Sequence, residues 1–223
     1  SMSTTAVDLP QIMDRLRAET RDAHDATEAI PFSAAMIQDR LPKAAYVGQL
    51  LAYAIVHRSL DRALATSNDA TVAAVWHDDL AKVPLLDADV AYFAAEIDGV
   101  APDAVAAAED WAAEIRRLAT SRPVALLGYL YVLEGSTLGA TILRQHVALM
   151  YRLDLDQPRG LQYYSPYGNA VMPHWKAFKE RMNAAITDPD DQSRVLDAAR
   201  EAFGRVGTIL QALSVDLDET PAS

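Results

Sequence analysis

The segment Leu16–Glu28, LRAETRDAHDATE, holds a histidine with chemically useful neighbours. Residues four apart share a helix face. Glu28 therefore stands one turn beyond His24 and can accept a proton from its imidazole. Such a hydrogen bond fixes the tautomer and frees the other ring nitrogen for a metal, as second-shell carboxylates commonly do. Arg17 lies two turns before His24 on the same side, placed to neutralise a carboxylate of a ligand lying along the helix. The same spacing also describes an ordinary surface helix with a His–Glu pair.

A second signal lies in YLYVLEGSTLGATILRQH, Tyr129–His146. Gly135 and Gly139 are four apart, so they face the same way. Glycine inside a helix costs roughly 1 kcal/mol relative to alanine. Two on one face of a strongly apolar helix therefore need a reason. One is close approach of the backbone to a flat ligand. The other is close packing of a second helix, and the sequence leaves the two readings even.

These residues must be positioned by helices, because the 3.6-residue period dominates and β alternation is scarce. Helices are predicted over 10–28, 32–37, 43–65, 70–77, 85–97, 105–120, 172–186 and 190–213. The apolar run 124–151 fits either a buried strand followed by a helix or one long interrupted helix, and its length favours the helix. Residues 154–169 contain Pro158, Gly160, Pro166 and Gly168 and read as a loop. The expected organisation is a flexible start over 1–9, where Ser1–Met2 reads as a tag scar, one domain over 10–215, and a frayed tail over 216–223.

Composition supports an all-α chain with a sizeable core: 51% of the residues are hydrophobic and only nine are glycine. The net charge of −11 gives no general attraction for nucleic acid or for anionic membranes. With no cysteine, disulfides and thiolate chemistry are excluded, which suits a reducing cytoplasm. No uninterrupted apolar run reaches the ~20 residues needed to span a bilayer, and no secretory signal is visible, so no membrane partner is expected.

The chain resembles the heme oxygenases of bacteria. Arg17, Thr20, His24 and Glu28 match the family's basic–Thr–x–x–x–His–x–x–x–Glu pattern, and Glu134–Ala140 matches its EGS-x-LGA form. The segment Tyr46–Leu64 resembles the family's second long helix, and the likeness extends over roughly residues 10–215. It implies a single helical domain with heme b, both cofactor and substrate, between a proximal and a kinked distal helix. His24 would be the iron ligand and Glu28 its orienting partner. Gly135 and Gly139 would be the distal contacts, and Arg17 and Tyr131 would face propionates. Ser136 stands where animal relatives carry an aspartate, and His57 falls near a tyrosine of their water network. Both are thus candidates for holding distal water.

The implied reaction converts heme to biliverdin, ferrous iron and carbon monoxide with oxygen and external electrons. A ferredoxin or flavin reductase would supply the electrons, and a bilin-binding photoreceptor could accept the product. A non-catalytic heme sensor or carrier on the same fold is the alternative. A di-iron oxidase would need Glu-x-x-His pairs, which do not occur. Other residues have plainer expected roles: His77 and His174 solvated, His146 pointing elsewhere, Tyr163, Tyr164 and Tyr167 packing a loop. Of Lys176, Lys179 and Arg181, at least two are expected on a solvated face.

Overall fold

The computed structural model describes residues 9–215 and 217. The parts of the expected flexible start and tail at 1–8, 216 and 218–223 lie outside them. In chain order the helices are α1 (Ile12–Glu19), α2 (Arg21–Glu28), α3 (Pro31–Ile37), α4 (Lys43–Ala65), α5 (Ala70–Val75), α6 (Val83–Tyr92), α7 (Pro102–Ser121), α8 (Leu126–Tyr151), α9 (Val171–Ala185) and α10 (Pro189–Ala212). No strand occurs among the described residues, as expected of an all-α chain.

Helix α4 is apolar on most of its circumference because it runs through the core, with Tyr46, Leu50, Leu60 and Leu64 almost fully buried. Helix α7 packs along it through a stripe of Ala104, Ala108, Trp111, Ile115 and Leu118. Helix α10 crosses α7 and α8, burying Val195, Ala199, Ala202 and Ile209. It is opened by Pro189 in its first turn and by the Asp188 carboxylate, which accepts from the Asp191 N–H at 3.0 Å.

Two local differences from the sequence expectation matter for the site. The first predicted helix is two helices, broken at Thr20, whose φ/ψ of −111°/7° is not helical. The Thr20 hydroxyl donates back to the Leu16 carbonyl at 2.6 Å, a contact that bends helices. Helix α2 therefore leaves the line of α1, and none of its residues is buried. The second difference is in α8, which a short 3-10 turn at Pro123–Ala125 introduces. It then runs as one continuous helix through both glycines rather than an interrupted one.

By length and composition alone, the Pro123–Tyr151 segment passes as a membrane span despite the absence of a long uninterrupted apolar run. Half of its most apolar stretch is buried within the protein, against neighbours that include α9 and α10, as in a core helix.

The 154–169 segment is a loop, as expected, but it is firmly held. The fully buried Asp89 carboxylate accepts from the N–H groups of Gln162 and Tyr163, both at 2.9 Å. Burial raises the Asp89 pKa to about 6, against the opposing pull of the Tyr163, Gln162 and Gly160 N–H groups. The Tyr46 hydroxyl donates to the Gly160 carbonyl at 2.6 Å, and Tyr164 donates to the Gln49 side chain.

Candidate functional site

A cleft of about 1140 Å³ opens between α1–α2 on one side and the glycine stretch of α8 on the other. Arg17, His24, Glu28, Tyr131, Gly135, Ser136 and Gly139 all line it. Seven of the eight residues singled out by spacing and resemblance thus meet at one cavity.

His24 is exposed on α2, with the edge of the Phe203 ring from α10 beside it. Its Nδ1 lies 3.6 Å from Asp25 and its Nε2 lies 3.6 Å from Glu28. Neither approach is a hydrogen bond, so the imidazole is poised between two carboxylates. A proton held toward either one leaves the other nitrogen as a donor for a metal. His24, Asp25 and Glu28 also form the one group of potential metal-binding side chains among the described residues.

Across the cleft, the glycines are bare for a reason other than helix packing. A Cβ built on Gly139 meets nothing within 4 Å, and one on Gly135 meets only the Trp175 ring at 3.6 Å, ordinary van der Waals contact. No neighbouring helix needs either glycine. The even choice left by the sequence is therefore decided toward an open face.

Tyr131, one turn before Gly135, faces Thr20 and Arg17. Burial raises its pKa, while the Thr20 hydroxyl and the Arg17 charge pull the other way. Lys179 also reaches the cleft, while Arg181 is committed to the Val75 carbonyl at 2.9 Å. The cleft lining thus mixes the cations Arg17, Arg21 and Lys179 with the carboxylates of Asp14, Asp25 and Glu28.

His57 is the exception among the anticipated residues. It is buried on α4, 3% exposed, and does not line the cleft. Its Nε2 lies 3.0 Å from the hydroxyl of Tyr163, which does. Ser136 is exposed to the cleft and donates to the Leu133 carbonyl at 2.6 Å.

Three plainer expectations change. Tyr163 and Tyr164 line the cleft as well as packing the loop. His146 reaches the cleft rim, where its Nδ1 lies 2.8 Å from Asp39. His174 is half-buried, stacked on Tyr167 at 4.0 Å and 3.3 Å from Asp79, rather than solvated. His77 is exposed as expected.

Sequence reasoning also missed the buried ion pair behind the glycines. Lys82 Nζ donates to Glu134 at 2.7 Å, to the Leu80 carbonyl at 2.7 Å and to the Tyr167 hydroxyl at 3.0 Å. Tyr167 itself donates to the second Glu134 oxygen. A glutamate in an apolar helix is a sequence signal for such a pair, because a buried charge needs a partner. The position of Lys82, far away in sequence, is not.

The heme oxygenase family model matches residues 11–212. No curated protein sequence matches the chain. Among solved structures, the heme oxygenase of Leptospira interrogans superposes with a TM-score of 0.81 at 20% identity, covering 91% of this chain and 99% of that one. Heme oxygenase-1 of the cyanobacterium Synechocystis, solved in complex with heme, gives 0.83 at 19% identity over 93% and 94%. The Neisseria meningitidis enzyme gives 0.65 at 19% identity over 96% and 100%. With the family match spanning nearly all the described residues, the chain belongs to the heme oxygenase family.

Proposed function

We propose that the chain binds heme b in this cleft and degrades it to biliverdin, ferrous iron and carbon monoxide. The observation that carries the reading is the pairing of His24 on α2 with the unfilled Gly139 face of α8 in a single cavity. At about 1140 Å³ the cavity lies at the upper end of small-molecule sites, which run to ~1,000 Å³, and leaves room for a porphyrin. Its donors also fit. One imidazole is available to iron, the opposite wall is backbone without side chains, and Arg17, Tyr131 and Lys179 suit propionates. Bound heme supplies both the iron that activates oxygen and the carbon that is oxidised.

The chain's own part is placement. His24 holds one face, with Glu28 or Asp25 keeping its second nitrogen protonated. The absence of side chains at Gly135 and Gly139 keeps an acid or base of the chain from sitting directly against the opposite face. Ser136 offers a hydroxyl oxygen at that wall for ordered water. The electrons would come from a ferredoxin or flavin reductase, and a bilin-binding photoreceptor is a suitable acceptor of the product. The cysteine-free composition suits a cytoplasmic setting.

Heme titration followed by reduction in air tests this reading. The expected result is one heme per chain, loss of the Soret band and a green product that co-chromatographs with biliverdin. His24→Ala should alter the ferric spectrum and abolish turnover, with partial rescue by free imidazole. Stable heme binding without ring opening would establish the carrier or sensor instead. An unchanged spectrum and rate in His24→Ala would refute the ligand assignment.

A further inference from the structure

Helices form most of the cleft's lining. Tyr163 and Tyr164 come instead from the 154–169 loop, which has no helical ladder of its own. Helix α6 holds that loop through one carboxylate. Asp89, in the last turn of α6, is fully buried. Its Oδ1 accepts from the Gln162 N–H and its Oδ2 from the Tyr163 N–H, both at 2.9 Å. At the end of the same helix Tyr92 and Phe93 crowd Gly160, whose φ of +83° turns the loop into this grip. A Cβ on Gly160 would stand 2.7 Å from the Tyr92 ring.

The grip is specific, and its own charge works against it. Among the described residues no cation is paired with Asp89, and N–H groups alone meet its charge. Lys82, just before α6, binds Glu134, and Arg58, which reaches α6, binds Asp87. From α4 the group facing Asp89 is the Tyr46 hydroxyl, which is committed to the Gly160 carbonyl at 2.6 Å. From the loop the facing groups are the N–H groups of Gly160, Gln162 and Tyr163. His57 meets the Tyr163 hydroxyl rather than this carboxylate. The negative end of the α6 dipole adds to the cost of a carboxylate in its last turn. A buried charge without a counter-charge is expensive.

We propose that Asp89 is a positioning residue that holds Tyr163 and Tyr164 in the cleft wall by a clasp its own buried charge weakens, and that this wall is the part of the cleft that opens when a ligand passes. The passage of a ligand rests on the proposed heme-binding function, while the opening itself does not. Lifting the wall returns the carboxylate to water. Closing it exchanges that water for a few N–H groups and no cation, so the closed state is held with little to spare.

The balance has a sign that pH exposes. Burial carries the closed carboxyl up to about 6, and the N–H groups only partly offset it. With the wall open and the carboxyl in water, it returns toward its ordinary 3.8. The closed wall therefore binds a proton more readily than the open one. Protonation tightens the wall: the gain is complete below about 3.8 and is lost as pH rises through about 6. Asp61, at the other end of α6, shows the opposite design. It accepts from the Lys82 and Val83 N–H groups, its carboxyl is held below the ordinary value, and it grips hardest when charged.

Hydrogen exchange of the apoprotein at the Gln162 and Tyr163 amides, corrected for the intrinsic rate at each pH, reads the opening directly. The wall amides should exchange ahead of those in the middle of α7. Their opening constant should fall about tenfold from pH 7 to pH 5. Asp89→Ala leaves both N–H donors without their acceptor, so opening should rise and become flat with pH, although His57 is untouched. Exchange in step with α7, or opening that grows toward pH 5, overturns the proposal. If the variant does not fold, the wild-type pH series decides alone. Transfer of heme from the loaded protein to apomyoglobin at pH 7 then reads the passage: Asp89→Ala should release heme faster, in step with its opening. Unchanged release beside faster opening overturns the wall as the route. A wild type that takes up no heme counts against the heme-binding reading, and the amide series still judges the clasp.

Discussion

Helix α8 contains two glycine regions that look alike in sequence and differ in what surrounds them. In its first turn, Gly128 is wedged against α10. A Cβ there would collide with the Val195 carbonyl oxygen and lie 2.7 Å from the Ala199 nitrogen. Three turns on, Gly139 faces open space within the cleft. One glycine is small because a helix backbone presses on it, the other because the chain leaves a surface uncovered. The difference teaches that a glycine pair in an apolar helix is not itself a ligand signal. What distinguishes the two cases is whether protein atoms fill the space where a side chain would go.

Substitution at the packed end should have the largest effect. Gly128→Ala forces α8 and α10 apart along the pair of helices that supports the cleft's back wall. Overpacking of a tight core costs about 1–3 kcal/mol, and collision with backbone puts this site at the upper end. In a domain of this size each kcal/mol is about 2–4 °C of melting temperature. A fall of about 6–12 °C is expected in the apoprotein, measured by circular dichroism. An unchanged melt would mean that α10 yields easily, and the contrast between the two ends would be lost.

The open end should respond in binding rather than in stability. Gly139→Leu introduces a branched side chain whose Cβ meets no neighbouring atom within 4 Å, on a face that opens to the cleft, so the apoprotein melt should hold. Heme affinity should drop about tenfold or more, the equivalent of at least ~1.4 kcal/mol. Titration of both proteins with heme beside their melts checks this. Lost stability with normal affinity would make Gly139 a packing glycine after all.

The helical framework was largely legible because apolar periodicity and caps are local. The 43–65 helix was anticipated at its observed limits, and most others within a few residues. The break at Thr20 was not, since a threonine inside a helix pattern does not announce that its hydroxyl will turn back on Leu16. The residues gathered at the cleft were legible as two short motifs on separate helices. Their third wall was not: Tyr163 and Tyr164 reach it only because Asp89, Tyr46 and Gln49, all distant in sequence, pin the loop. His57 was anticipated near the site by resemblance, but only the tertiary arrangement shows that it stands one hydrogen bond behind the wall.

The smallest expected effect is also the one whose sign separates the two glycine regions most cleanly. Gly139→Ala adds a single methyl group in a helical position with no neighbour within 4 Å. Alanine loses less backbone entropy on folding and is the better helix former by about 0.5–1 kcal/mol. The apoprotein should therefore be stabilised, opposite to Gly128→Ala in the same helix. Gly204→Ala provides the calibration, since Gly204 lies inside α10, is exposed and also meets nothing within 4 Å. Both variants should raise the apoprotein melt by a few degrees. With heme bound the two should part: Gly204→Ala keeps its gain, while Gly139→Ala loses some or all of it, because the added methyl stands where the ligand face is expected. Equal gains in the apo and heme-bound states for both variants would show that heme does not lie against Gly139. A loss in the apoprotein at Gly139 alone would show that the open face closes in solution against another part of the chain.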